Sequence, residues 1–252
     1  MTEKMEAARK GRKGGDPNPL YYKVQLELKR MTESGKWAPG DVIPPEKKIA
    51  EEQGVSLGTV RKAILNLVAE GYLYRVQGKG TMVAGTTMIR ENLRYYRFFK
   101  DFGYKEAILK IKLLDISTIP AQERINRLLK MNAKGRLYLL RRRFTSQGTP
   151  LLYSISYLPR ALLAGLDEFS RYRLEKVPVY ISVEDKFGIP TVANQEMITA
   201  AAADQETAQV LEVEPGSPLL KIEMLSLTHK RKPYEYRITY VVTDRLKVLR
   251  EY

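Results

Sequence analysis

An α+β fold with two domains is expected from three features of this 252-residue chain. Between Pro19 and Val83, amphipathic helical segments lead into an alternating segment that turns at Gly78-Lys79-Gly80. From about residue 93 onward, alternating apolar stretches are interleaved with short helical ones. In this C-terminal region a unit made of a helix, a strand, a turn and a strand occurs twice. Periodicities that switch between helix and strand in this order suit a small helical head with a β-hairpin, followed by a mostly antiparallel sheet with helices to one side.

Residues 1–18 are polar and basic, with Lys10, Arg12 and Lys13 among glycines. Such a segment cannot bury enough apolar surface to order itself, so it reads as a disordered basic tail. Residues 19–84 form the head. Pro19 to Gly35 is the first helix, with Tyr22, Val24, Leu26, Leu28 and Met31 as its apolar residues. Trp37 to Asp41 is a breaker-rich turn in which Trp37 is a packing residue. Pro44 and Pro45 open a second helix, Glu46 to Gln53, because a missing N–H costs nothing in a first turn. Gly54 ends it. Ser56 caps the third helix, where Val60, Ala63, Ile64 and Leu67 make a buried stripe. Gly71 stops that helix. Tyr72 to Gln77 then alternate as a strand, and Thr81 to Val83 return after the turn. This is the layout of a winged helix-turn-helix. In that motif the N-terminal end of the second motif helix meets base edges in the major groove. Thr59, Arg61 and Lys62 occupy that place. Arginine can bond guanine bidentately and threonine can touch a thymine methyl.

Composition agrees with a polyanionic partner, at a net charge of +14 and a pI near 9.7. There are no cysteines and one histidine, His229. That removes disulfides and thiol catalysis and leaves no convincing zinc set, so no metal or cofactor is expected. No Gly-rich phosphate loop is present, and no Ser/His/Asp set can be assembled around His229. Glu184-Asp185 reads as a solvated helix surface, and the chain is not expected to be an enzyme. No stretch reaches the ~20 apolar residues that span a bilayer, and no secretory h-region opens the chain. A cytoplasmic location is expected.

Residues 85–92 read as a linker and 93–252 as the second domain. Tyr95, Tyr96, Phe98, Phe99 and Phe102 form an aromatic cluster at its start. The expected elements are a strand at Ile108–Ile116, a helix at Ala121–Met131, and strands at Leu137–Thr145 and Leu151–Leu158. A helix at Pro178–Gly188, a strand at Met197–Ala203 and a helix at Gln205–Leu211 follow. Strands at Leu219–Leu227 and Tyr234–Val242 complete the domain. The repeat is Ala121–Leu158 against Asp204–Val242, with Gly135 matching Gly216 and Pro150 matching Pro233.

The head resembles the DNA-binding domain of GntR-family bacterial regulators. The resemblance rests on Pro44, Glu46, Ala50, Val55, Ser56, Thr59-Val60-Arg61, Ala63, Leu67, Glu70-Gly71 and Gly78-Lys79-Gly80-Thr81. It implies DNA contacts at Lys47, Thr59, Arg61 and the turn Gly78, Lys79, Gly80 and Thr81. Lys48, Ser56 and Lys62 complete the candidate set. Leu57 stands where the family commonly has arginine. Residues 90–250 resemble the UTRA effector domain of the HutC subfamily, whose fold is chorismate lyase-like. Arg142, Gly148, Pro150, Tyr180, Ala208, Leu211, Gly216, Leu219-Leu220, Pro233, Glu235 and Asp244 carry that resemblance. The family implies a homodimeric regulator, commonly a repressor, on a near-palindromic operator, with DNA affinity set by a small-molecule effector. The alternative is a dimeric DNA-binding protein in which the second domain serves dimerisation alone.

Arg141-Arg142-Arg143 lies within an apolar strand, so Arg142 points opposite to its neighbours. A guanidinium is the natural partner of phosphate or carboxylate. The candidate effector residues are Arg142, Phe144, Tyr153, Tyr180, Glu235 and Tyr240, with Ser154 beside Tyr153. Sugar-phosphate binders of the family show two arginines two apart before the hairpin turn, where this chain has Arg142 and Phe144. That departure points away from an ordinary amino-sugar phosphate and toward a carboxylate or aromatic acid.

Overall fold

The computed structural model describes residues 18–85, 97–99, 101–102 and 107–249. All of the expected tail but Asn18, most of the linker, and Tyr95 and Tyr96 of the aromatic cluster lie outside these residues. Of that cluster, Phe99 is buried but Phe102 is 85% exposed, so Phe102 does not join a core.

The head contains α1 (Leu20–Glu33), α2 (Glu46–Gln53), α3 (Leu57–Ala69), β1 (Leu73–Val76) and β2 (Gly80–Val83). The α1 stripe differs from expectation. Val24, Gln25 and Leu28 are buried, whereas Tyr22 and Leu26 face solvent. Buried Gln25 is tolerated because it donates to Glu70 at 2.8 Å and accepts from Asn66 at 3.0 Å. Gly54 adopts the left-handed conformation that stops α2, and the Ser56 hydroxyl accepts from the Thr59 N–H at 3.1 Å to start α3. Val60, Ala63, Ile64 and Leu67 then enter one core with Val24, Leu28, Ile43, Ile49, Tyr72 and Leu73, and Trp37 packs on its margin. The wing is a two-stranded hairpin, Leu73 opposite Val83 and Val76 opposite Gly80.

The second domain is built on a six-stranded, wholly antiparallel sheet in the order β4-β5-β6-β9-β8-β7. Its strands are β4 (Lys110–Ile119), β5 (Leu137–Ser146), β6 (Thr149–Pro159), β7 (Ala193–Ala202), β8 (Pro218–Thr228) and β9 (Lys232–Val242). The remaining elements are β3 (Arg97–Phe99), α4 (Glu123–Leu128), α5 (Arg171–Lys176), α6 (Val179–Phe187), α7 (Gln205–Leu211) and β10 (Lys247–Leu249), with β3 and β10 pairing as a separate ribbon. The sequence does not announce α5, which is only six residues long. Helix α4 is shorter than expected because Lys130 turns into the left-handed region just after it.

The two repeats supply the two hairpins at the middle of the sheet, β5–β6 and β8–β9, joined by the β6–β9 pairing. The helices do not lie to one side as expected. Helices α5 and α6 cover one face through Leu174, Val179 and Val183, packed with Tyr138, Leu140 and Leu158. Helix α7 covers the other through Ala208 and Leu211, packed with Tyr153, Leu219 and Val242. A sheet with apolar residues on both faces requires cover on both.

Candidate nucleic-acid interface and effector cavity

The recognition-helix candidates are organised by one carboxylate. Glu46, at the start of α2, accepts from Arg61 Nε at 3.1 Å and from Arg75 Nη2 at 2.9 Å. It therefore ties the third helix to the wing strand. Spending Nε of Arg61 on Glu46 leaves its two terminal nitrogens as the donors available to a base or phosphate, and its side chain is 57% exposed. Thr59 shares a 2.8 Å hydroxyl contact with Ser56. Ser56 is thus committed to capping. Lys62 sits 4.0 Å from the ring centroid of Tyr21, which orients the ammonium on α1. Lys47, Lys48, Gly78, Lys79 and Gly80 are exposed and Thr81 is partly so. Arg75, absent from the sequence-derived set, joins the cluster. Its alternation within β1, on the opposite face from Tyr74 and Val76, is the signal that marks it. Leu57 opens α3 at 41% exposure, an apolar residue on the face where a base or phosphate would be met.

The second site is a cavity of about 230 Å³ over the middle of the sheet. One register row crosses β5, β6, β9 and β8 through Arg142, Ser154, Thr239 and Ile222. Directly paired residues of antiparallel strands share a face, and all four line the cavity. Phe144, Leu152, Met224, Arg237 and Glu196 add the flanking rows, Tyr180 of α6 contributes to the roof, and Leu109 and Ile111 line it from the β4 side.

Arg142 is 2% exposed. Its Nε and Nη1 are buried with no hydrogen-bond partner among the described residues, and the same holds for Ser154 Oγ. The Phe144 ring lies 5.5 Å from the Arg142 guanidinium carbon. Burial pushes the Arg142 pKa below its ordinary value, the positive charge of Arg237 adds to that, and Glu235 pulls in the opposite direction. Arg237 is spent differently. It grips wholly buried Glu235 through Nε at 2.9 Å and Nη2 at 2.8 Å.

Three of the six effector candidates, Arg142, Phe144 and Tyr180, meet in this cavity. Tyr153 and Tyr240 do not. Both fall one residue out of phase with Ser154 and Thr239 and stack on each other across the opposite face, with centroids 6.5 Å apart. There the Tyr153 hydroxyl donates to Glu206 of α7 at 2.8 Å. Glu235 is on the right face but stands behind Arg237, outside the lining. Arg237, Thr239, Ile222 and Met224 are lining residues that the sequence-derived set lacks. The repeat gives the signal for Arg237 and Thr239, since aligning Pro233 with Pro150 sets them at Ser154 and Ser156. The same alignment sets Ile222 and Met224 at Leu139 and Arg141, on the other face, so only their observed pairing with Thr239 and Arg237 places them in the lining.

Residues 20–83 match the model of bacterial regulatory proteins of the gntR family, and residues 107–247 match the UTRA domain. The chain belongs to the GntR family and carries a UTRA domain. Such proteins are DNA-binding transcription regulators and not enzymes. Among similar proteins, the HTH-type transcriptional repressor NagR of Bacillus subtilis is 27% identical over 229 residues, covering 91% of this chain and 93% of its own. The uncharacterized regulator YurK of the same organism is 28% identical over 235 residues, covering 92% and 95%. The solved structure of PhnF from Mycobacterium smegmatis aligns with a TM-score of 0.52 over 89% of this chain and 96% of its own, at 22% identity, a likeness of fold alone. The head and cavity described above are therefore the DNA-binding and UTRA portions of a GntR-family chain. No helix among the described residues is long and apolar enough to cross a membrane.

Proposed function

We propose that this GntR-family protein is a homodimeric repressor whose affinity for a near-palindromic operator is changed by a small anion with a flat apolar body, bound beside Arg142. The observation that supports this most directly is a buried guanidinium with unpaired nitrogens facing an open cavity. A buried cation without a partner is costly, and a carboxylate is the complement that would satisfy both its charge and its donors. Ser154 supplies a second polar group, and Phe144, Leu152, Ile222 and Met224 offer apolar walls. The volume is below the ~300–1,000 Å³ of drug-sized sites, which favours a small acid. Arg237 is already neutralised by Glu235, so a doubly charged phosphate finds one free guanidinium and not two. Repression accords with the name of NagR. In this reading residues 19–84 read the operator, 85–92 link, and 93–252 bind the ligand and dimerise.

A thermal-shift screen of sugars, phosphates and organic acids tests the ligand. An aromatic or aliphatic carboxylate should raise Tm in the wild type, since a ligand bound by the native state alone stabilises it by mass action. Arg142→Met should abolish that shift. A sugar phosphate that shifts both proteins equally would contradict the assignment. For the head, Arg61→Ala should bind a duplex selected from a random pool about 10-fold or more weaker, on the order of 1–3 kcal/mol per base contact, with the thermal shift retained. Wild-type affinity in that variant would remove Arg61 from the interface.

A further inference from the structure

We propose that the β8–β9 hairpin is the lever that links the cavity to the head, and that His229 stacked on Tyr72 is its grip. The inference rests on the reading of the cavity as the effector site. At its turn the hairpin meets the end of the recognition helix. The Lys230 N–H donates to the Glu70 carbonyl at 2.6 Å, and His229 Nδ1 lies 2.9 Å from the Gly71 carbonyl. The rings of His229 and Tyr72 are stacked, 4.0 Å between centroids and 10° between planes. Tyr72 is itself held, its hydroxyl donating to Glu33 at 3.1 Å with the Lys29 ammonium 5.1 Å from its ring centroid.

The contact is tight on both sides. Gly71 has φ +76°, and a Cβ there would stand 3.1 Å from Val192 Cγ2. The Val192 N–H in turn donates to the carbonyl of Leu227 in β8 at 2.9 Å. Lys230 and Arg231 both hold left-handed backbone, at φ 56° and 52°, an arrangement non-glycine residues keep only when their surroundings fix it.

The other end of the same hairpin is cavity wall. Met224 and Arg237 are a cross-strand pair, and both line it. His229 follows Met224 by five positions, roughly 17 Å of extended chain at ~3.3 Å per position. Between them runs a charged line. Arg142 is repelled by Arg237, and Arg237 grips Glu235, two residues closer to the turn. An anion on Arg142 cancels that repulsion and changes how Arg237 bears on Glu235. A packed contact such as the His229–Tyr72 stack responds by keeping or losing its docked arrangement, not by stretching continuously. A static strap, by contrast, would fix the head's orientation and ignore the cavity.

His229 is the only histidine in the chain, so its ring protons give one set of NMR signals in the full-length protein. In the wild type they should be shifted upfield by the Tyr72 ring, and Tyr72→Leu should return them to the free-imidazole position. The lever is tested by two cavity variants that do not touch His229. Arg142→Met removes the buried charge at nearly constant volume, a replacement that folded proteins commonly tolerate. Met224→Phe fills the cavity from β8 and keeps the test open should the first variant not fold. Either should move the His229 signal measurably toward its Tyr72→Leu position, whereas Arg61→Ala should leave it in place. Unmoved signals in the folded cavity variants would reduce the contact to a strap, and a wild-type signal at the free position would remove the contact altogether. Neither ligand nor DNA enters these spectra, so the lever can fail while the effector assignment, judged by thermal shift, stands.

Discussion

Arg142 and Glu223 show two ways in which one sheet handles a secluded charge. Nε and Nη1 of Arg142 on β5 have no hydrogen-bond partner among the described residues. Glu223 on β8 is saturated. It accepts a short hydrogen bond from the Tyr236 hydroxyl, one from Arg124 at 2.9 Å and one from Lys221 at 3.0 Å. These partners, led by Tyr236, outweigh desolvation and pull its pKa down to about 2. The folded-state value is thus below the ordinary 4.5, so the unfolded chain takes up the proton first as pH falls. The stability from this group is complete above about pH 4.5 and is lost as pH drops toward 2. Glu223→Gln should lower Tm at pH 7 and flatten the fall in Tm between about pH 4.5 and 2. An unchanged acid limb would show that the network does not contribute. The residue scale also shows where a sequence is hardest to read. The apolar stretch around Arg141-Arg142-Arg143 is legible as a strand, and Arg142 as its odd member. The phase of the return strand is not legible, because Tyr153 and Ser154 both look like ligand groups. Only the pairing of Ser154 with Arg142 decides which one shares its face.

Helix α3 carries the clearest link from sequence to element. Its cap and its apolar period agree, and four of its residues, Val60, Ala63, Ile64 and Leu67, are completely buried. Ile64→Ala should cost about 2–5 kcal/mol through lost burial and the cavity left behind. Ser56→Ala should cost ~1 kcal/mol through loss of the cap. Because the head has its own core, calorimetry on Ile64→Ala should show an early transition for the head with the UTRA transition in place. A single transition shifted as a whole would instead mean that the head does not melt on its own core and that the two domains unfold as one. Elements with less internal agreement are harder to see. Strand β7 begins four residues earlier than its apolar pattern suggests, because it is a sheet edge whose residues through Ala200 face solvent partly or fully, and Asn194, Gln195 and Glu196 break the pattern. Helix α5 is under two turns long and owes its shape to tertiary contacts. Glu175 accepts from the Leu113 N–H of β4 at 2.9 Å, and Arg171 donates back to the Leu113 carbonyl at 2.9 Å.

Across the whole molecule the excess charge is not where composition would first place it. Residues 19–84 carry ten lysines and arginines against seven acids, a small share of the net +14. Most of the excess is in the remainder of the chain, where many arginines are already engaged. Arg141 bridges Asp115 and Glu206, Arg143 meets Glu212, Arg173 meets Asp185, and Arg245 donates to the carbonyls of Pro150, Leu211 and Glu212. In the proposed reading, net charge sets a diffuse attraction to a polyanion, while the register of the head on DNA depends on a few exposed cations. The two contributions separate in salt. Each phosphate contact releases counterions and adds ~0.9 to the magnitude of the slope of log K against log salt. Lys79, exposed at the tip of the wing, should act as such a contact. Lys79→Ala should lower the slope by about 1 and weaken all duplexes alike. Lys134→Ala, an equally exposed cation in the UTRA domain, should leave the slope unchanged. Arg61→Ala should behave differently from both, narrowing the gap between selected and random duplexes at every salt concentration. If Lys134→Ala and Lys79→Ala reduced the slope equally, the UTRA domain would itself lie against DNA, and the head could not be the sole reading surface. If neither changed it, the wing tip would stand clear of the phosphates, leaving Arg61, Arg75 and the start of α2 to carry the contact.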